Sequence, residues 1–76
     1  MKKSVVCIDP DILGGIPCFR GTRVPVQTLL DYLEAGDPLD EFLEDFPTVT
    51  RTAAITFLDE GARLAVNAAL SHESAA

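Results

Sequence analysis

The apolar positions change period once along the chain, and that change separates an extended part from a helical part. Val5, Val6, Cys7 and Ile8 form a β-favouring run closed by Asp9-Pro10-Asp11, so the chain opens on a short strand and a turn. Gly14-Gly15 then allows the backbone to reverse, and Ile16 to Phe19 and Thr22 to Val26 read as two short extended pieces around Arg20-Gly21. Pro17 and Pro25 each remove a backbone donor, which places these pieces at a sheet edge or in a loop. An exposed edge invites pairing with a second chain, making this hairpin a candidate dimer contact.

From Val26 the period becomes helical. Val26, Leu29, Leu30 and Leu33 share one face while Gln27, Asp31 and Glu34 point elsewhere, which predicts a first amphipathic helix. Gly36 is placed to end it as a left-handed cap, and Asp37-Pro38 to start a second helix with an N-cap acid and proline at the first helical position. Leu39, Phe42, Leu43 and Phe46 form the apolar face of that short helix, and Pro47 stops it. Thr48 or Thr50 can cap a third helix from about Arg51 to Leu70, with Ala54, Ile55, Leu58, Ala62, Ala65, Val66 and Ala69 at helical spacing. At about 1.5 Å per residue it is the longest element, and its second half, rich in small residues, outruns so small a core. That half is expected to pack on a second copy or on a different protein. The pattern predicts a mainly α fold: a short N-terminal β-hairpin or strand, then a three-helix, helix-turn-helix-like bundle. One domain is expected over 1–76, with a β/loop motif at 4–26, helices at 26–70 and a flexible polar tail at 71–76.

Length strengthens the expectation of a partner. With 76 residues the chain can build one core but not two, and domains this small are marginally stable alone. Charge is uneven as well. Lys2, Lys3, Arg20 and Arg23 outweigh Asp9 and Asp11 in residues 1–30, whereas only Arg51 and Arg63 offset the acids of residues 31–76, leaving a net charge of −6. Such asymmetry fits an anion-facing end, or an acidic face that docks on a basic protein. Cys7 and Cys18 lack metal-ligand spacing, and His72, the one histidine, is remote from both, so no zinc site is expected. The two thiols could face each other across the hairpin, but reduced cysteines of a cytosolic protein are the expectation. The run after Met1-Lys2-Lys3 stops at Asp9-Pro10, too early for a secretory signal, and no apolar stretch reaches membrane length; a cytoplasmic protein is expected.

The glycine-rich stretch fails as a phosphate loop. Read from Gly15, the pattern puts Arg20 where glycine is required and Gly21 where lysine is required. No histidine accompanies a serine or cysteine nucleophile, and the carboxylates cluster where solvated helix faces are expected, so neither catalysis nor a cofactor is predicted. Arg20 and Arg23 are the most informative polar residues: two guanidiniums on a Gly/Pro-braced turn make an anion-binding tip. The alternative is that they pair with Asp9, Asp11 or an acid of the first helix and only hold the turn. The helices also have helix-turn-helix spacing, in which Thr48, Thr50, Arg51 and Thr52 would face a DNA groove. Asp40, Glu41, Glu44 and Asp45 on the second helix would repel phosphates, so operator binding would need dimerisation or a partner's basic surface.

The stretch from Ile8 to Val26, with its core Gly15-Ile16-Pro17-Cys18-Phe19-Arg20-Gly21-Thr22-Arg23-Val24-Pro25-Val26, followed by Leu29-Leu30, Leu33, Gly36, Phe46-Pro47 and Thr50, closely resembles the bacterial domain-of-unknown-function family 433. The resemblance covers roughly residues 4 to 66. It implies a homeodomain-like trihelical fold behind a short β element, with Gly15, Pro17, Gly21, Thr22 and Pro25 as its structural motif. It also implies the antitoxin of a type II toxin-antitoxin pair, often encoded beside a PIN-like ribonuclease. On that reading the chain forms a homodimer or hetero-oligomer. Arg20 or Arg23 would enter the toxin's metal-binding carboxylate cluster, and Ala62, Ala65, Val66 and Ala69 would pack on the toxin. The alternative is an autorepressor that binds its own operator DNA.

Overall fold

The computed structural model describes residues 4–75, and the side chains of residues 4–71. Its elements are β1 (Val6–Cys7), a single 3₁₀ turn (Leu13–Gly15), β2 (Cys18–Phe19), α1 (Val26–Glu34), α2 (Leu39–Asp45) and α3 (Arg51–Ala75). The predicted order, a small antiparallel β element followed by three helices, is the observed one. β1 and β2 pair antiparallel with Val6 opposite Phe19 and Cys7 opposite Cys18. Cys18 also forms a bridge with Pro25 on the other side of β2, where Phe19 N–H donates to Val24 O at 2.9 Å and Val26 N–H to Pro17 O at 3.1 Å. Thus the Ile16 to Phe19 piece is paired on both sides and is not at an edge, which corrects the expectation for Pro17, whereas the Thr22 to Val26 piece with Pro25 lies on the outer side as expected. Pro17 contributes only its carbonyl. Pro25 sits opposite Cys18 between the two ladder bonds, where an N–H would have no acceptor.

Helix boundaries follow local capping chemistry. Gly36, with φ of 89°, follows Ala35, the C-cap of α1, where its N–H donates to Leu33 O and the Asp37 N–H to Tyr32 O. This pair of bonds is the Schellman arrangement, which needs the left-handed residue that glycine provides most cheaply. At α2 the prediction shifts by one residue: Pro38, with ψ of 155°, is itself the N-cap, and no side chain caps the helix, so Asp37 does not act as the capping acid. Asp40 and Glu41 in the first turn offset the exposed donors there. Thr50 caps α3, its hydroxyl accepting from the Ala53 N–H at 3.0 Å. α3 continues through Ala75 instead of ending near Leu70, because Ser71 to Ala75 contains neither glycine nor proline to interrupt the ladder. Ala76 and Met1–Lys3, on which part of the predicted tail and part of the basic amino-terminal charge fall, lie outside the described residues.

The core is an aromatic cluster to which β2 and all three helices contribute. Phe19, Val24, Leu29, Phe42, Val49 and Ala54 are buried. Phe19 lies 6.1 Å from Phe42 and 5.6 Å, edge to face, from Phe57, while Tyr32 packs edge to face on Phe42 and Phe46 at 5.5 and 5.8 Å. Such tilted pairs are the favoured aromatic geometry. On α3 the predicted inward position Ile55 is instead 49% exposed, and Phe57 takes its place against the core. Ala54, fully buried, lets the start of α3 approach closely.

Tyr32 also ties α1 to α2 through its hydroxyl, which donates to Asp45 Oδ2 at 2.7 Å. That hydrogen bond, then burial and the neighbouring charges of Asp45, Glu41 and Asp37, push its pKa from 10.0 up to about 12. The unfolded chain ionises first as pH rises, so the contribution of Tyr32 to stability is complete below about pH 10 and disappears as pH climbs through 12. Tyr32 is the only tyrosine and the chain has no tryptophan, so phenolate absorbance should report this titration directly. Asp45→Asn should move it back toward 10.0.

Candidate functional site

The turn joining β2 to α1 is held by its own side chains. Gly21, with φ of 80°, occupies the left-handed region at the tip of Arg20-Gly21-Thr22-Arg23. The Thr22 hydroxyl donates to Phe19 O at 2.8 Å and accepts from the Val24 N–H at 3.0 Å, and the Thr22 N–H donates to the same carbonyl. Gly15, with φ of 93°, closes the 3₁₀ turn on the preceding loop, where Asp9 accepts from the backbone of Asp11 and Ile12. Gly15, Pro17, Gly21, Thr22 and Pro25 each therefore occupy a backbone-shaping position.

The two tip arginines have different roles. Arg20 N–H donates to Val5 O at 2.7 Å, so the peptide groups of Val5 and Cys7 face β2 while the Ser4 and Val6 carbonyls face the open side of β1. The Arg20 guanidinium reaches those outward carbonyls: Nε donates to Ser4 O at 2.7 Å and Nη2 to Val6 O at 3.4 Å. The remaining outward donor, Val6 N–H, bonds to Ser4 Oγ at 3.1 Å. The outer edge of β1 is thus capped by side chains. Arg20 holds backbone carbonyls and not the acids weighed from the sequence.

Arg23 makes no hydrogen bond or ion pair among the described residues, whereas Arg51 pairs with Asp40 and Arg63 with Asp59. Among the described residues it is the one guanidinium of the four arginines without such a partner. Arg23 borders a surface groove of about 540 Å³ together with Ile12, Gly21, Thr22, Val24 and Thr48. This groove joins a residue predicted for protein binding to Thr48, predicted for DNA. The other members of the DNA set are differently employed or dispersed. Thr50 caps α3, Arg51 bridges to α2, and Thr52 is exposed.

A second, smaller depression of about 270 Å³ lies on α3 between Ala62, Arg63, Val66 and Asn67. Ala65 and Ala69 are exposed nearby, as are Leu64, Val66 and Leu70 at 70, 57 and 62%. Leu64 and Leu70 are exposed apolar residues that the sequence reading did not single out. No cluster of metal-ligating side chains occurs among the described residues, and no described helix is long and apolar enough to cross a membrane.

A model of the family described as "Protein of unknown function (DUF433)" matches residues 6–59. The chain belongs to that family. The DUF433 match takes in β1, β2, α1, α2, the groove and the start of α3, and it stops before the exposed apolar half of that helix. A relative from Sinorhizobium fredii (strain NBRC 101917 / NGR234), "Uncharacterized protein y4eO", is 43% identical over 47 residues, covering 62% of this chain and 21% of the relative. The chain therefore spans about one fifth of that protein's length. The crystal structure of a DUF433 member protein from Anabaena variabilis ATCC 29413 superposes with a TM-score of 0.67 at 30% identity, covering 80% of this chain and 60% of the other.

If Arg20 is an edge clamp, Arg20→Ala should lower stability by about 1 kcal/mol and speed amide exchange in β1, with Arg20→Lys restoring little because one ammonium cannot span both carbonyls. Thr50→Ala should cost about 1 kcal/mol through loss of the cap, and Thr48→Ala less than about 0.5 kcal/mol. Urea denaturation of the four variants checks both expectations.

Proposed function

We propose that the chain is a protein-binding module, the antitoxin that binds and neutralises a ribonuclease toxin, and that Arg23 is the residue it presents to the toxin's acidic site. The observation that carries this reading is the contrast among the arginines: Arg20, Arg51 and Arg63 have intramolecular partners, and Arg23 has none among the described residues and stands beside a groove. PIN-like nucleases, to which the family resemblance points, gather carboxylates to hold a divalent cation, and a guanidinium matches that cluster in charge and in fork geometry. The exposed face of Ala62, Ala65, Val66 and Ala69 supplies an apolar second contact, flanked by Leu70. Binding rather than catalysis accounts for both surfaces, and neither calls for a cofactor.

The operator-binding alternative has narrower support. Of its four residues, Thr50 and Arg51 already have intramolecular partners, and the nearby acids of α2 oppose phosphate. Thr48 and Thr52 remain exposed, so a complex with a basic partner is the form in which DNA binding would be sought.

Co-expression with the product of the neighbouring gene tests the proposal. Arg23→Ala should weaken binding roughly 30-fold or more and release toxicity, as truncating one partner of a buried charge pair does. Arg23→Glu should abolish neutralisation, and Arg20→Ala should act mainly through stability. Full neutralisation by Arg23→Glu, or a neighbouring gene that encodes no ribonuclease, overturns the reading.

A further inference from the structure

Cys7 and Cys18 are both free thiols, and the register places them directly opposite each other on β1 and β2. Opposed residues in an antiparallel pair project to the same face of the sheet. Because Arg20 N–H donates to Val5 O, the alternation of the ladder makes Cys7–Cys18 a hydrogen-bonded pair, for which the Cα separation is about 5.5 Å. That separation lies within the range disulfides span, although the Cβ atoms must draw in by about 1 Å. A bridge closed against such resistance is easier to reduce again than a relaxed structural disulfide.

We propose that Cys7 and Cys18 form a reversible cross-strand disulfide, a redox-sensitive staple across the base of the loop that carries Ile12. Their environments assign the order of events. Cys7 is half-buried, whereas Cys18 is buried at 2% exposure with its thiol donating to Ile16 O at 3.3 Å. The Cys7 thiolate attacks a small-molecule disulfide such as glutathione disulfide, forming a mixed disulfide and expelling one glutathione thiolate. Cys18 then gives up its hydrogen bond and its proton, attacks the Cys7 sulfur and expels the second glutathione thiolate. Two cysteines are oxidised, one glutathione disulfide is reduced, and buried Cys18 needs no access for an outside reagent. The closed loop contains the left-handed Leu13-Gly14-Gly15 segment and Ile12 of the Arg23 groove, so oxidation restrains one wall of that groove.

The test equilibrates the intact chain in glutathione redox buffers, quenches with acid and alkylates. Intact mass then reads the state of the thiols, and cleavage at Asp9 or Asp11 shows whether the two cysteines are linked. Both thiols should disappear together, giving a monomer lighter by two hydrogens with Cys7 joined to Cys18 and a Tm raised by roughly 10 °C. Cys18→Ser should accumulate glutathione on Cys7, whereas Cys7→Ser should leave Cys18 unmodified. A wild-type chain that stops at the Cys7 mixed disulfide, that links only between molecules, or that keeps both thiols alkylatable in oxidising buffer overturns the proposal. None of these outcomes depends on whether the chain binds a toxin.

Discussion

The Phe19 ring, 1% exposed and packed against Phe42 of α2 and Phe57 of α3, is the contact through which the extended amino-terminal segment is attached to the helices. β1 and β2 have two residues each, and a hairpin so short has no stability of its own in water. It persists because the strand in its middle inserts an aromatic side chain into the helical core. The rest of the N-terminal architecture follows from that anchoring. Phe19 O receives both donors of Thr22, and Phe19 N–H reaches Val24, so the tip is built on the residue that enters the core.

This arrangement separates two arginines three positions apart. Arg20 follows Phe19 directly and is carried to the β1 side of the sheet, where outward carbonyls await a donor. Arg23 follows the Gly21 reversal and emerges beside Ile12 and Thr48. One guanidinium is absorbed by the fold so that the turn exists, and the other is presented by it. The Gly-Thr-Arg sequence thus serves architecture through its first two residues and leaves its third exposed beside the groove.

The helices were legible because their signals are local. The shift to helical period at Val26, the left-handed cap at Gly36 and the hydroxyl cap at Thr50 depend on residues within a turn of one another. The sheet order and the destinations of the arginines were not, since Arg20 reaches back across the sequence to Ser4, and Arg51 to Asp40 on a neighbouring helix. The inward face of α3 was ambiguous for a different reason. Ala53, Ala54, Ile55, Phe57 and Leu58 form a nearly unbroken apolar run, and only packing chooses Phe57 over Ile55. The groove likewise draws Ile12 and Thr48 from opposite sides of two helices, and no spacing rule connects them. Cys7 and Cys18 fall between these cases: the hairpin made their facing conceivable, and the register makes it definite.

α3 begins within the core and continues as uninterrupted helix through Ala75, well beyond the last residue that packs on the bundle. Each residue of such a rod advances the chain by about 1.5 Å and turns it by about 100°. The direction of the apolar face beyond Asp59 is therefore set by how the start of α3 is seated on the core. A single inserted residue near Gly61 would swing the distal face to another side of the molecule without altering any side chain on it.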